Sequence, residues 1–172
     1  MVEIDWNRDR EAMQEWQLSK PRTKKLRERL EEVIILVDER EQEPWEFERY
    51  RKVRLETGDY SFVDDDFDFR DLFVVERKAS PSELLAAMTS KRKAFVEELK
   101  RLREVPSRAI VCEFSWNDLL LEVSNRKMSD TSVFGTLVSW MLNSGVPVIF
   151  AGSREAAKAI FWKGVELSLK DT

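Results

Sequence analysis

Histidine is absent from all 172 residues. That absence removes zinc sites of the Cys/His type and every mechanism in which a histidine activates a serine or cysteine nucleophile. A hydrolase built from this chain must use carboxylates, lysine and a hard cation such as magnesium. Cysteine is almost as scarce. The single Cys112 cannot close an internal disulfide, and its place in the apolar run Ala109–Cys112 reads as a small buried hydrophobe rather than a reactive thiol. No apolar run approaches the roughly 20 residues of a membrane span. The opening residues Met1–Trp6 lack the basic-then-apolar layout of a secretion signal. No membrane association and an intracellular location are therefore the expectations. Internal repeats and low-complexity linkers are also missing, and no domain boundary interrupts the chain.

What is there fits one globular domain large enough to bury a core, with 42% hydrophobic and 36% charged residues. The net charge of −4 argues mildly against nucleic-acid binding. The basic residues, however, are grouped, and a nuclease site is itself acidic. Arg22, Lys24, Lys25, Arg27 and Arg29 form one group; Lys91, Arg92, Lys93, Lys100, Arg101 and Arg103 form another.

Residues 1–20 read as a loose helix or an arm carrying Trp6 and Trp16. Pro21 opens a helix to about Glu32, a solvated helix or a DNA-contacting arm. Residues 1–32 thus precede a main domain over 33–172. Val33–Val37 is a continuous apolar run suited to a strand covered on both faces. Val53–Glu56 alternates as a half-buried strand, Gly58 breaks it, and Asp59–Val63 and Leu72–Glu76 form a hairpin. Asp64, Asp65, Asp66, Asp68 and Asp71 crowd its tip, as a solvated turn rather than a metal trap. Ser80 caps a helix to Met88. A basic helix over Lys91–Glu104 carries a stripe of Phe95, Leu99 and Leu102. Then come a strand over Arg108–Phe114, a helix from Trp116 to about Val123, a helix capped by Asp130 or Thr131 and stopped by Gly145, a strand over Val146–Phe150 and a last helix over Gly152–Leu169. The pattern predicts an α/β fold: a three-layer α/β/α sandwich with a mixed central sheet, its inner strands parallel and its hairpin at one side.

Chemistry gathers at the strand ends. Asp38 ends the first apolar strand, Asp59 leaves the Gly58 turn, and Glu76-Arg77-Lys78 closes another strand. Metal-assisted phosphodiester hydrolysis needs such oxygen ligands, because magnesium is satisfied by two carboxylates plus waters and phosphate oxygens. Lys78 shares a face with Glu76, two residues away, and is placed to activate the water or to stabilise the pentacovalent phosphate. Arg77 faces the other way and would hold a carboxylate or a phosphate. Glu113, ending a further strand, is a candidate outer ligand, and Arg92 a candidate phosphate grip.

Val37-Asp38-Glu39-Arg40-Glu41, Leu55-Glu56-Thr57-Gly58-Asp59-Tyr60 and Val75-Glu76-Arg77-Lys78 resemble the signature of XPF-type nuclease domains. That signature is Gly-Asp, a variable gap, Glu-Arg-Lys, three residues and Asp. The resemblance covers about Val33–Val165. Ser90–Phe95 and Val146–Glu155 are similar to runs of the family's small single-domain members from phages and mobile elements. It implies a restriction-endonuclease-like fold and a metal-dependent endonuclease, using magnesium with manganese as a substitute, that cuts branched, flap or junction DNA in repair, recombination or replication. The implied catalytic set is Asp38, Asp59, Glu76, Arg77 and Lys78. The implied metal ligands are Asp59, Glu76 and Asp38, with Asp38 supporting the acidic cluster. Arg40 and Glu41 match the Arg-Glu that orders the site. DNA contacts fall to Lys91, Arg92, Lys93, Lys24 and Lys25. One departure stands out: Ser82 occupies the place of the final Asp, and Glu83, one residue later, is its candidate substitute.

The family often appends a double helix-hairpin-helix module. With the sequence ending at Thr172, junction recognition is expected from dimerisation, the N-terminal arm or a partner. The resemblance also implies a homodimer through the C-terminal helices, with Trp140, Met141, Phe161 and Trp162 as candidates for the dimer surface and core packing as the equal alternative. Two rival readings are a catalytically silent DNA- or partner-binding module of the same family and an unrelated α/β domain with a chance motif. The intact Asp59, Glu76 and Lys78 set argues against the silent module.

Overall fold

The computed structural model describes residues 24–170. The expected arm over residues 1–20, and the Pro21 start of the first helix, lie outside them. In chain order the elements are α1 (Lys24–Glu32), β1 (Ile34–Asp38), β2 (Tyr50–Val53), β3 (Tyr60–Val63), β4 (Phe73–Lys78), α2 (Pro81–Met88), α3 (Arg92–Glu104), β5 (Ser107–Cys112), α4 (Trp116–Asn125), α5 (Asp130–Ser144), β6 (Val148–Phe150) and α6 (Arg154–Lys170). The six strands form one mixed sheet in the order β2-β1-β3-β4-β5-β6.

Alternation along the strands sends side chains to two separate cores. One holds Val74, Ile110 and Cys112 against α2, α3, α4 and α5, through Leu84, Leu85, Leu99, Leu102, Leu119, Val123 and Leu137. The other holds Ile35, Val37, Tyr60, Phe62, Val75 and Val111 against α1 and α6, through Leu26, Ala157, Phe161, Val165 and Leu169. This is the expected three-layer sandwich. Helix α1 belongs to it: Leu26 is buried, and Arg29 ties the helix to Asp64 and to the Leu169 carbonyl. Phe161 anchors the second core, its ring 5.6–5.8 Å from those of Trp45, Phe47, Tyr60 and Phe73.

The sheet departs from expectation in two ways. The second strand lies at Tyr50–Val53, not Val53–Glu56, and runs parallel to β1 at the edge. It stops at Val53 because the Leu55 N–H turns inward to donate to the Asp38 carboxylate at 2.8 Å. The antiparallel strand is not at one side: β3 lies inside the sheet, antiparallel to both β1 and β4, because the exposed β2 takes the edge. Smaller shifts occur at element ends. Ser129, rather than Asp130 or Thr131, caps α5, accepting the Ser132 N–H, and Gly145 closes that helix at φ +61°. The Asp64 carboxylate at the hairpin tip is buried under Arg29 instead of solvated, and accepts the Asp66 and Phe67 N–H groups.

This register positions the site. Val37 faces Tyr60 and Tyr60 faces Val75. The next residues along, Asp38, Asp59 and Glu76, therefore form a row across β1, the approach to β3, and β4. Two backbone bonds lock the row: Asp38 N–H to the Asp59 carbonyl and Asp59 N–H to the Val75 carbonyl, both at 2.9 Å.

Candidate active site

The row opens into a cleft of about 650 Å³ under α2 and α3, lined by Asp38, Arg40, Glu41, Asp59, Glu76, Arg77, Lys78, Glu83, Lys91, Glu98 and Arg101 among others. Its floor is the end of β4. That strand is buried along its whole length, and its last three residues are charged.

Asp59 and Glu76 form the centre. One Asp59 oxygen, Oδ2, accepts the Arg77 backbone N–H at 2.7 Å. Glu76 Oε1 accepts the Lys78 ammonium at 2.5 Å. Burial, and then the neighbouring Glu76 charge, push the Asp59 carboxyl well above the usual carboxylate range. Burial likewise raises the Glu76 carboxyl, with Lys78 opposing the rise. Two like charges side by side in a low-dielectric pocket are poorly compensated by one ammonium, and a divalent cation suits that deficit. The donors are hard oxygens, as magnesium and manganese prefer. Among the described residues no three carboxylates converge into a preformed cage. A cation bound by Asp59 and Glu76 would therefore complete its shell with water and phosphate oxygens.

Lys78 also lies 3.4 Å from Glu83 Oε1 and 4.9 Å from the centre of the Phe95 ring. Burial pulls its pKa down, but Glu76, Asp59 and Glu83 push it up further, and the net direction is upward. The ammonium form is thus favoured, which suits the stabilising cation of the two roles expected for Lys78. Glu83 reaches the site despite its one-residue displacement. Its Oε2 accepts the Ala79 N–H at 2.9 Å, and its own N–H donates to the Ser80 cap. Ser82 points elsewhere, donating to Glu122 on α4 at 2.8 Å.

Asp38 needs correction as a metal ligand. Oδ1 accepts the Arg40 N–H and Nε, and Oδ2 accepts Arg40 Nη2 and the Leu55 N–H, at 2.6–2.9 Å. Those four bonds use the lone-pair directions of both oxygens. Burial raises its carboxyl, but the bonds from Arg40 and Leu55 outweigh burial and hold it low. Asp38 is a bolt between β1 and the loop before Asp59.

Arg77 and Glu113 also sit apart from the Asp59–Glu76 pair, on the α6 face of the sheet. Arg77 pairs with Glu113 at 2.7 Å and with Glu41 at 3.2 Å, all three side chains nearly buried. Glu113 further accepts Trp45 Nε1 at 2.5 Å and pairs with Arg154 at 3.3 Å. Its carboxylate is consumed in this network and is not an outer metal ligand. Arg77 serves the centre through its backbone N–H, while its guanidinium is neutralised by two carboxylates. Of the basic candidates, Lys91 lines the cleft at the start of α3. Arg92 and Lys93 are exposed beside it without lining it, and Arg92 turns to the Met88 carbonyl. Lys24 and Lys25 are exposed on α1, whose anchor at Asp64 and Leu169 is at the far end of the sheet.

Sequence reasoning passed over Glu98. It follows Val96 and Glu97 on the flank of the Phe95/Leu99 stripe, where a charged residue reads as solvated. In fact it reaches the Thr57–Gly58 turn. Arg154 and Trp45, which hold Glu113, were passed over as site residues for the same reason: their partners come from distant segments.

A mixed sheet sandwiched by helices, with an acidic pair and a lysine at the end of one strand, defines a restriction-endonuclease-like nuclease fold. A family model described as "ERCC4 domain" matches residues 37–161, well over half of the chain. The chain belongs to the ERCC4 domain family, as its XPF-type motifs imply. Two solved structures share the fold. XPF from Aeropyrum pernix superposes with a TM-score of 0.58 at 17% identity, covering 78% of this chain and 61% of that one. XPF from Aeropyrum pernix in complex with DNA gives 0.57 at 18% identity, covering 80% and 66%. The chain thus spans slightly under two-thirds of those chains. No curated protein sequence matches it.

The electrostatics of the row generate a stability prediction. A carboxyl whose pKa is raised by folding gains a proton on folding, so the metal-free protein loses stability as pH rises from the ordinary carboxylate range through the raised value. Asp59→Asn keeps the acceptor for the Arg77 N–H and removes the charge. In metal-free urea denaturation at pH 7–8 it is expected to stabilise by about 0.5–2 kcal/mol. Asp38→Ala strands the Leu55 N–H and is expected to destabilise by about 1–3 kcal/mol. A destabilised Asp59→Asn would contradict this electrostatic reading.

Proposed function

We propose that the chain is a metal-dependent DNA endonuclease that hydrolyses phosphodiester bonds and prefers branched, flap or junction DNA. The observation that carries the reading is the Asp59–Glu76 pair at the strand ends, Glu76 buried and Asp59 half-buried, with the Lys78 ammonium against Glu76 and an open cleft above. Magnesium is the expected cation, with manganese substituting, held by Asp59 and Glu76; Glu83, in contact with Lys78, is a supporting carboxylate. When bound, such an ion neutralises phosphate charge and makes a water a better nucleophile.

The chain's own groups then do the following. The Arg77 N–H and the Asp38–Arg40 bolt hold Asp59 and its turn in place, so little reorganisation is needed on binding. Lys78 donates to the charge that develops on the phosphoryl oxygens, and its buried position makes that contact stronger than it would be in water. Lys91 at the cleft, with Arg92 and Lys93 beside it, offers cations to the sugar–phosphate backbone without reading sequence. Structure preference in place of sequence preference follows from such contacts. The DNA complex of the Aeropyrum pernix XPF supports DNA as the substrate class. Among the described residues no helix is long and apolar enough to cross a membrane, and a DNA-associated location is proposed.

A homodimer is proposed as the functional unit, with its surface revised. Trp140 and Phe161 are buried in the two cores. On α5, Phe134, Val138, Met141 and Leu142 are exposed at helical spacing, beside Trp116 stacked on Phe134. Light scattering is expected to give twice the chain mass for the wild type and the single chain mass for Val138→Asp with Leu142→Asp. A monomeric wild type at micromolar concentration removes the dimer.

The reading is tested by incubating labelled duplex, flap, fork and four-way-junction DNA with the protein and Mg²⁺. Cutting of a branched substrate that EDTA stops is expected, with Asp59→Asn, Glu76→Gln and Lys78→Ala each slower by about 10²–10³-fold. DNA binding without cutting under all metals would establish the silent module instead.

A further inference from the structure

Helix α3 also reaches the turn beside the acidic centre, through a side chain whose geometry goes beyond charge balance. Glu98 Oε1 accepts two hydrogen bonds from the turn that delivers Asp59: the Thr57 hydroxyl at 2.5 Å and the Gly58 N–H at 2.7 Å. Its other oxygen is paired with Arg101, one turn along the helix. Arg101 thereby orients the carboxylate, leaving Oε1 aimed at the turn. The bland alternative is an i,i+3 surface pair that happens to lie near a loop. Two facts oppose it: the Glu98 side chain is only 15% exposed, and its bonds to Thr57 and Gly58 span about forty residues of sequence.

The turn needs such a clamp. Gly58 sits in the left-handed region at φ +69°, pressed so tightly onto β4 that a Cβ would meet the Val74 side chain at 2.1 Å. Glycine enters that conformation freely but is equally free to leave it, so the turn is held by its contacts and not by its own φ. Asp59 is the next residue. Its N–H is fixed by Val75 and its Oδ2 by Arg77, so the approach from Thr57–Gly58 is the remaining free direction, and Glu98 closes it.

We propose that Glu98 is a positioning residue: it holds the Thr57–Gly58 turn so that Asp59 presents its carboxylate to the cation, and it acts by accepting hydrogen bonds rather than by adding negative charge. This deepens the nuclease reading and rests on it for the identity of the reaction. The role is distinct from that of Glu83, which lies on the Lys78 side of the centre.

The test compares Glu98→Ala with Glu98→Gln, whose amide oxygen can accept the same two bonds. Three quantities are measured: amide hydrogen exchange of the intact chain, Mn²⁺ affinity by calorimetry, and kcat and KM on a branched DNA. Glu98→Ala is expected to speed exchange at Gly58 and Asp59 while leaving Val74 and Ile110 unchanged. It should also weaken Mn²⁺ binding by about 10–100-fold and lower kcat similarly, with KM for DNA within about threefold. Glu98→Gln should stay within about threefold of wild type throughout. If Glu98→Ala does not fold, Thr57→Val removes one of the two donors and should cost about three- to tenfold in Mn²⁺ affinity. Wild-type exchange and Mn²⁺ affinity in Glu98→Ala would overturn the proposal, and so would equal damage in both Glu98 variants. Should the wild type cut no DNA, the nuclease reading fails by itself, while exchange at Gly58 and Asp59 still decides the role of Glu98.

Discussion

The buried Glu76 carboxylate with the half-buried Asp59 carboxylate beside it is the constraint on which the rest of this structure turns. Asp59 and Glu76 lie on neighbouring strands, with Lys78 as the cation in contact with Glu76. A charge moved from water to such a site loses solvation that one ammonium does not fully restore, and both carboxyls shift toward the protonated form in response. A fold does not keep such an arrangement for stability. A divalent cation is the kind of ligand that would supply the missing positive charge.

The surrounding residues are arranged to hold that strain. On one side of Asp59, Asp38 gathers the Arg40 and Leu55 donors and pins the β2–β3 connection. On the far face of the sheet Arg77 spends its charge on Glu41 and Glu113, while its N–H, on the strand itself, steadies Asp59. The aromatic cluster around Phe161 supports this face, and Trp45 links it to the ion network through Glu113. Strand alternation separates two charge systems only a peptide apart: a satisfied one under α6 and a strained one under α2 and α3.

Much of this was legible in the sequence, for a physical reason in each case. The apolar runs of β1, β4 and β5 are long enough to announce strands buried on both faces. The i,i+2 spacing of Glu76 and Lys78 fixes their common face whatever the pairing. What pairing decides was less legible. The edge position of β2 and the interior position of β3 depend on where Leu55 sends its N–H, a tertiary bond with no local signature. The same holds for Glu98, Arg154 and Trp45, ordinary helix and loop residues whose partners are 40 or more residues away. Glu113 ends a strand just as Asp38 and Glu76 do, but it faces the other layer, where arginines claim it. The Ser82 departure resolves through the helix start: Ser80 caps α2 and the first turn swings Glu83, not Ser82, toward Lys78.

Burial makes Asp59 and Glu76 hold their protons to higher pH than ordinary carboxylates, so a divalent cation bound between them competes with those protons as pH falls. Calorimetric titration of Mn²⁺ at a series of pH values from the ordinary carboxylate range up to neutral, repeated in buffers of different ionisation enthalpy, counts those protons directly. The account predicts net proton release on binding, affinity that rises with pH, and loss of the release in Asp59→Asn with Glu76→Gln. Binding of Mn²⁺ with no proton release and no dependence on pH, or proton release unchanged in the double variant, would contradict it.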